Sequence, residues 1–134
     1  MFTVTNHVLD QAEFLESPNF SERPKGLEPS LLVIHNIRLP PGKFGGGYIE
    51  DFFQNRLDSS FHPYFKEIIN LKVSSHILID REGKFVQFVE FNKNIPSLLI
   101  KNYKKGIQDG FEISFYDENI INNKHINLTI FSNG

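Results

Sequence analysis

His35 is the residue whose type and position most strongly suggest chemistry. It lies near the end of the apolar run "SLLVIHN" (residues 30–36) and directly before the Pro- and Gly-rich stretch "IRLPPGKFGGG" (residues 37–47). An imidazole at the exit of a buried strand can coordinate a metal ion, and a catalytic zinc site uses about three protein ligands and lowers the pKa of a bound water to about 7. The same position suits a histidine that forms only local hydrogen bonds, so the pattern leaves both interpretations open.

Other metal ligands would have to be His, Asp or Glu, because the chain contains no Cys. His62 precedes Pro63, and we expect it to cap or turn the start of a helix. His76 lies on a predicted strand, where it is either a core histidine or a cleft residue beside His35. The four remaining histidines are His7, His62, His76 and His125, and none pairs with another at the i, i+4 spacing of a helical zinc motif.

The glycines and carboxylates that follow His35 carry weaker signals. "GKFGGG" (residues 42–47) lacks the Lys-Ser/Thr ending of a P-loop and the spacing of a dinucleotide fingerprint, so we predict a rim loop. Glu50 and Asp51 are adjacent, and adjacent residues on a helix do not face each other as an acid/base pair. We therefore expect them on a solvated face.

Composition restricts the class of protein. With 134 residues, 40% of them hydrophobic, the chain is long enough for one globular domain. A net charge of -2 gives no field that attracts nucleic acid or anionic lipid, so neither is expected as a partner. The start has no basic leader and no apolar run approaches the roughly 20 residues that span a bilayer, which predicts a soluble cytoplasmic protein.

Periodicity predicts the elements that would position His35. Residues 17–30 hold three Pro and should be extended, while residues 30–36 form a short apolar strand that we expect to be covered on both faces. Apolar residues at helical spacing predict amphipathic helices over 48–57 and 62–72. Residues 74–91 read as a β-hairpin with a turn at Gly83. This order predicts an α/β (α+β) domain, a mixed β-sheet with flanking helices.

Several stretches together resemble one enzyme family. "SPNFSERP", "PSLLVIHNIRLPPGKFGG", "FHPYF" and "LKVSSHILIDREGKFVQFVEFNK" are similar to the N-terminal part of the AmpD-type anhydro-muropeptide amidases. These belong to the zinc-dependent N-acetylmuramoyl-L-alanine amidases. The resemblance runs from about Ser17 to Lys93.

The resemblance implies a cytoplasmic zinc enzyme of peptidoglycan recycling. Its substrate would be an anhydro-muropeptide, cut at the amide between the lactyl group and L-alanine. His35 falls on the family's first zinc ligand. Asn36 is either a contact of the substrate groove or a turn residue, and His76 falls on a histidine that the family places near the site.

The resemblance stops after Lys93. Family members continue with a Trp-His-Ala-Gly segment, a strand that ends in a catalytic Glu, and later Gly-His-x-Asp and Asp-Pro-Gly motifs. This chain has no Trp and carries "NIPSLLIKNYKKG" where the first motif is expected. Asp117 and Glu118 lie at about the right distance along the chain for the catalytic Glu but match no motif. The resemblance therefore assigns neither the catalytic carboxylate nor the second and third zinc ligands.

We accordingly expect two segments, residues 1–93 as the N-terminal part of an amidase domain and residues 94–134 as a divergent tail. The loss of similarity inside Asn-, Ile- and Lys-rich sequence suggests a frameshift as a hypothesis. Two functions stay open, a zinc-dependent amidase and a catalytically inactive, truncated relative that lacks two zinc ligands. A third, a binding module that uses the 14 Phe residues, has no specific support. We predict that the chain as it stands is weak or inactive as an amidase.

Overall fold

The chain is analysed as a computed structural model that describes residues 1–95, 107–108, 111–112 and 125–130, with Leu31, His35, Asn36 and the last three ranges described by their backbone alone. Two helices lie within these residues, α1 (Tyr48–Phe53) and α2 (Phe65–Ile68). The strands are β1 (Val4–Thr5), β2 (Val8–Leu9), β3 (Glu13–Phe14), β4 (Ser21–Glu22), β5 (Leu31–Asn36), β6 (Ile77–Ile79), β7 (Phe85–Gln87), β8 (Lys93–Asn94), β9 (Ile107–Gln108), β10 (Phe111–Glu112) and β11 (His125–Ile130).

A mixed five-stranded sheet forms the centre of the fold. Its strand order is β3-β7-β6-β11-β5, and β11 is parallel to both of its neighbours, β5 and β6. Strand β7 runs antiparallel to β6 and parallel to β3. The predicted α+β class with a mixed sheet is confirmed. Strand β11 comes from residues 94–134, which the sequence predicts as a divergent tail, yet its backbone lies inside the sheet, between β6 and β5.

The predicted hairpin is present as β6 and β7. Ile79 pairs with Phe85, and the turn between them contains Gly83 at φ +82°. Asp80 holds this turn, since its Oδ1 accepts hydrogen bonds from the backbone N–H groups of Glu82 at 2.9 Å and Lys84 at 2.8 Å. An Asx-type turn with glycine at a positive φ is the reason that the strands reverse here.

Both helices are shorter than predicted. Helix α1 ends at Phe53 because Asn55 adopts φ +58°, a left-handed conformation that cannot continue a right-handed helix. Leu57 is buried beyond that end. Periodicity therefore predicted the buried face of α1 correctly but overestimated the length of the helix. The predicted length of α2 was also too great, since this helix covers four residues.

The helices pack their apolar side chains against one face of the sheet. Phe53 of α1 meets Phe88, which follows β7, in an edge-to-face contact with ring centroids 5.1 Å apart. Phe65 of α2 packs on Tyr48 of α1 at 5.1 Å. The buried core residues are Leu39, Ile49, Phe52, Phe53, Leu57, Phe65, Ile68, Leu78, Val86, Phe88, Val89 and Ile95.

Strand β5 departs from the prediction of cover on both faces. Leu32 and Ile34 alternate along the strand and therefore share a face, and their exposed fractions are 57% and 48%. No helix of the described residues covers them. The continuous apolar run is real, but the residues that the structure describes do not bury Leu32 and Ile34.

Residues 1–14 form an arm that the sequence analysis did not foresee. Strands β1 and β2 make a hairpin whose turn residues, Asn6 and His7, have φ of 50° and 66°. Gln87 anchors the arm, since its Oε1 accepts from Leu9 N at 2.7 Å and its Nε2 donates to the carbonyls of His7 at 3.0 Å and Val89 at 2.9 Å. The fully buried Gln87 side chain thus joins the arm to the hairpin.

Gln87→Leu should detach the arm. The substitution leaves Leu9 N–H without the partner described here. We expect the free energy of unfolding to fall by about 1–2 kcal/mol, because the freed arm can move into water, which limits the cost of unpaired groups. Urea unfolding and amide exchange of residues 4–9 measure the effect. Gln54→Leu is the matched control, because the described contacts of the Gln54 side chain are exposed ones, to Glu16 O at 3.2 Å and to Arg56. Equal losses of stability in Gln87→Leu and Gln54→Leu would contradict the role of Gln87 as the anchor of the arm.

Within the described residues, no helix has the length and apolar character needed to cross a membrane.

Candidate functional site

The backbone of His35 lies at the carboxyl end of β5, the edge at which the parallel strands β11 and β6 also end. His35 is in register with Thr129 of β11, which is in register with Leu78 of β6. In open sheets of parallel strands, ligands bind at this edge, where the loops that follow neighbouring strands converge. The predicted roles of the His35 and Asn36 side chains lie outside what the structure describes.

The loop after β5 leaves from this edge and is fixed at both ends. Leu39 is buried in the core, and Tyr48 begins α1. Between them the chain is mostly exposed and passes through Gly45, Gly46 and Gly47 with φ between 73° and 83°. A Cβ on Gly46 would lie 2.8 Å from Tyr48 Cε2, so this position excludes side chains for two reasons, conformation and space. Residues 42–47 form a loop, as predicted, and its role as the rim of a site stays a prediction.

Arg81 joins the rim loop to the hairpin turn. Its guanidinium carbon lies 4.0 Å from the centroid of the Phe44 ring, a cation–π contact. Phe44 follows the end of β5, and Arg81 follows the end of β6, so the contact bridges the loops at the same edge of the sheet. Sequence analysis missed this pair; the only available signal was an aromatic residue placed among glycines.

Arg81→Ala should loosen the rim loop. A cation–π contact at an exposed site contributes about 0.5–1 kcal/mol, which corresponds to about two- to fivefold faster local opening. Hydrogen exchange of residues 42–47 measures this directly. Arg56→Ala is the control, since Arg56 forms an exposed ion pair with Asp51 at 3.9 Å and does not contact the loop. If both variants left loop exchange unchanged, the bridge would have no positioning role.

His76 is a buried residue held by hydrogen bonds. Its side chain has 0% exposure, its Nε2 lies 3.0 Å from the Lys93 carbonyl oxygen, and its ring stacks on Phe91 with centroids 6.2 Å apart. A carbonyl only accepts, so Nε2 of His76 carries a proton and donates this hydrogen bond. His76 also precedes Ile77, which is in register with Ile34 rather than with His35. Of the two interpretations left open, the structure describes the core histidine.

The Lys93 carbonyl also accepts from Arg23. Arg23 Nη2 lies 2.8 Å from Lys93 O and 3.3 Å from Phe91 O. Burial lowers the pKa of Arg23, and the negative charge of Glu28 partly opposes this effect. At the same strand end, the hydrogen bond from Lys93 Nζ to Glu22 at 2.7 Å raises the pKa of Lys93. These contacts join residues 17–30, which we call the lead-in segment, to the end of the hairpin. Their role is structural.

The remaining histidines belong to separate elements of the fold. His62 Nδ1 accepts from Tyr64 N at 3.1 Å at the start of α2, which agrees with the predicted turn role. His7 lies in the turn of the arm, and His125 begins β11 with its side chain outside the described part. Among the described residues, no group of three His, Asp or Glu side chains lies close enough to hold a metal ion.

The carboxylates singled out from the sequence do not form an acid/base pair. Asp51 lies 3.9 Å from Arg56 with 44% of its side chain exposed, and Glu50 precedes it in the first turn of α1. An exposed ion pair of this kind contributes little to stability. Asp117 and Glu118 lie outside the described residues.

Comparisons with known proteins identify relatives of this chain in sequence and in fold. Over 97 residues the chain is 46% identical to the 1,6-anhydro-N-acetylmuramyl-L-alanine amidase AmpD of Haemophilus influenzae, a match that covers 72% of this chain and 53% of the relative. The AmpD of Escherichia coli is 49% identical over 93 residues, covering 69% and 51%. A crystal structure of a selenomethionine AmpD derivative matches 97% of this chain and 66% of its own, with a TM-score of 0.76 and 36% identity. The chain is an AmpD-like protein.

AmpD proteins thus provide both the sequence and the fold that this chain resembles. The resemblance inferred from residues 17–93 is confirmed, as is the α+β architecture. The chain spans about half the length of the curated AmpD relatives that it matches. No protein-family model matches it.

Proposed function

We propose that this chain carries the His35 part of an AmpD-type amidase site, which acts on the lactyl-L-alanine amide of anhydro-muropeptides in peptidoglycan recycling. The relatives are named as amidases of the 1,6-anhydro-N-acetylmuramyl-L-alanine group. The observation that carries the proposal is the position of His35 at the carboxyl end of β5, where the loops after β5 and β6 meet. A ligand at this edge is adjacent to the rim loop that would form one wall of a substrate groove.

In this proposal His35 is a zinc ligand and Asn36 a contact of the substrate groove. Zinc in such a site would polarise the amide and supply a nucleophilic water. The described residues do not by themselves form a cage of three ligands, and the sequence after Lys93 lacks the motifs that carry the remaining ligands in the family. We therefore derive no catalytic step from the metal. The cytoplasm is the proposed location.

A catalytically inactive relative is the second candidate. It is favoured by the total lack of Trp, which excludes a Trp-His-Ala-Gly segment, and by the absence of any Gly-His-x-Asp in the sequence. Loss of a residue that merely orients a zinc ligand already weakens binding by about 10–100-fold. We therefore expect this chain to bind zinc more than about 100-fold more weakly than a site with all of its ligands would, and to hydrolyse muropeptides slowly or not at all.

Metal analysis of the purified chain with a muropeptide hydrolysis assay tests both candidates. His35→Ala should remove the zinc that binds at this edge and any turnover that depends on it. His7→Asn is the control, because His7 lies on the arm at φ +66°, a conformation that Asn tolerates. Stoichiometric zinc with turnover that His35→Ala abolishes would reject the inactive relative. Zinc binding or turnover that His35→Ala leaves unchanged would reject His35 as a ligand.

We also propose that residues 94–134 are a divergent segment produced by a frameshift. The change from AmpD-like to Asn-, Ile- and Lys-rich sequence supports this proposal. The coding DNA tests it: a shifted reading frame should encode Trp-His-Ala-Gly within this segment. A nucleotide sequence without that motif in any frame would reject the frameshift.

A further inference from the structure

His62 holds the turn that leads into α2 through two of its atoms. Its carbonyl oxygen accepts a hydrogen bond from Phe65 N at 3.0 Å, and its ring Nδ1 accepts one from Tyr64 N at 3.1 Å. Backbone N–H groups at the start of a helix have no helical acceptor, and a side-chain acceptor placed before the helix satisfies one of them. Among the described residues, the His62 ring has no other hydrogen-bond partner and no ion pair.

The bond to Nδ1 depends on the protonation state of the ring. A backbone N–H can only donate, so Nδ1 is without a proton and the neutral ring carries its proton on Nε2. An imidazolium has protons on both nitrogens and cannot accept. Histidine changes charge between about pH 5 and 8, so the bond is present at the upper end of this range and is lost as the pH falls.

Aromatic rings connect this turn to the rim loop. The His62 ring packs on Phe65, with centroids 5.6 Å apart. The Tyr48 ring packs on Phe65 at 5.1 Å and on Phe61 at 6.0 Å. Tyr48 begins α1 directly after the rim loop, and a Cβ on Gly46 would lie 2.8 Å from its ring. The ring that closes the rim loop therefore rests on residues from both sides of His62.

The charged groups near this turn do not titrate in its place. Asp58 Oδ1 accepts from Ser60 N at 2.8 Å, and this hydrogen bond lowers the pKa of Asp58, which keeps the carboxylate charged over the range in which histidine titrates. The ordinary charge change of histidine falls between about pH 5 and 8, unlike that of Asp, Glu, Tyr, Lys or Arg. The titratable side chains of the rim loop, α1, α2 and the segment between the helices are Lys43, Tyr48, Glu50, Asp51, Arg56, Asp58, Tyr64, Lys66 and Glu67.

We propose that His62 is a pH-sensitive switch that controls how firmly the rim loop is held. The neutral ring fixes the start of α2 and, through Phe65 and Tyr48, the end of the rim loop at α1. Protonation breaks the bond to Tyr64 N, so the turn opens and Tyr48 loses part of its support. Because the open turn binds one more proton than the closed one, acid favours opening. This inference concerns the fold and does not depend on the proposed amidase function.

Amide exchange of the full chain tests the switch without zinc or substrate. Two amides report on it, Tyr64 N in the turn and Asp51 N, which donates to Gly47 O at 3.0 Å at the end of the rim loop. Ser17 N, which donates to Phe88 O at 2.9 Å in the core, is the reference. After correction for the intrinsic effect of pH on exchange, we expect the protection of Tyr64 N and Asp51 N to be about fivefold lower at about pH 5 than at about pH 7.5, the effect of losing a typical helix cap. The protection of Ser17 N should not change.

Variants of His62 separate its titration from that of other groups. His62→Asn keeps an acceptor that never becomes charged, so protection should stay high at both pH values. His62→Ala has no acceptor, so protection should be low at both. His7→Asn is the matched control, because it removes a histidine of the arm, at φ +66°, and should leave the response to pH unchanged.

The tautomer of His62 gives an independent result. Nitrogen-15 shifts of the ring in the wild-type protein should show Nδ1 without a proton at about pH 7.5, and this measurement needs no variant to fold. A neutral ring with its proton on Nδ1 would overturn the inference. An equal response to pH in His62→Asn would also overturn it, because another group would then cause the opening. Acid opening at Tyr64 N without any change at Asp51 N would contradict the link to the rim loop and overturn the switch as proposed.

Discussion

Phe88→Ala should lower the free energy of unfolding by about 3–5 kcal/mol, the range found for truncation of a buried Phe to Ala. Phe88 has 0% exposure and meets Phe53 of α1 edge to face. Truncation removes this contact and leaves a cavity between the helix and the sheet. Small domains are stable by about 5–15 kcal/mol, so the loss is a large part of the total. Urea unfolding followed by circular dichroism measures it.

The backbone around Phe88 explains why the site cannot relax easily. Phe88 N donates to the His76 carbonyl at 2.9 Å, and Phe88 O accepts from Ser17 N at 2.9 Å. The strand that carries Phe88 is thus bonded on both sides and cannot collapse into the cavity, which makes truncation more costly.

Phe61→Ala is the matched control for Phe88→Ala. Phe61 contacts Tyr48 with ring centroids 6.0 Å apart but is two-thirds exposed, with an exposed fraction of 67%. Its truncation should cost less than about 1 kcal/mol, since substitutions at exposed positions have small effects. Similar losses for the two variants would mean that the Phe53–Phe88 contact is not part of a tightly packed core.

How much of the fold follows from the sequence depends on the range of the interactions involved. The hairpin was predictable because Gly83 and alternating apolar residues act locally. The helix ends were not, since α1 stops where Asn55 adopts a left-handed conformation, and Asn55 does so in contact with Asn19, 36 positions earlier in the chain. Single-sequence periodicity contains no information on such a partner.

The candidate site shows the same limit. The position of His35 at the end of an apolar strand could be predicted from residues 30–36 alone. The exposure of Leu32 and Ile34 could not, because a continuous apolar run looks the same whether or not its second face is covered. The contact between Arg81 and Phe44 also escaped prediction, since it joins loops that meet only after the parallel strands have assembled.

Asn19 offers the clearest case of a family residue with a structural role. It belongs to "SPNFSERP", one of the stretches that resemble the AmpD-type amidases. Its Nδ2 donates to Val73 O at 2.8 Å and to Asn55 Oδ1 at 2.9 Å, and its Oδ1 accepts from Asn55 Nδ2 at 3.0 Å. The side chain thus connects the lead-in segment, the end of α1 and the segment before β6.

Asn19→Ala should therefore lower the free energy of unfolding by about 2–4 kcal/mol. Val73 O would lose the donor described for it, at a cost of about 1–3 kcal/mol, and the paired amide contact with Asn55 would add about 1 kcal/mol. Asn19 Nδ2 also donates to Phe53 O at 3.2 Å, but Phe53 O would lose less, because Ser17 Oγ still donates to it at 2.6 Å. Urea unfolding gives the size of the loss, and amide exchange near Asn55 shows whether the end of α1 frays.

A double-mutant cycle separates the pair from its surroundings. Asn55→Gly keeps the left-handed conformation accessible while it removes the side-chain amide. If the Asn19–Asn55 pair acts as a unit, the loss in the double variant should be smaller than the two single losses added together. Asn70→Ala serves as the control, because Asn70 is exposed at the end of α2 and should change stability by less than about 0.5 kcal/mol. If the losses of the two single variants added up to the loss of the double variant, Asn19 would act without Asn55. The end of α1 would then be set by Asn55 itself.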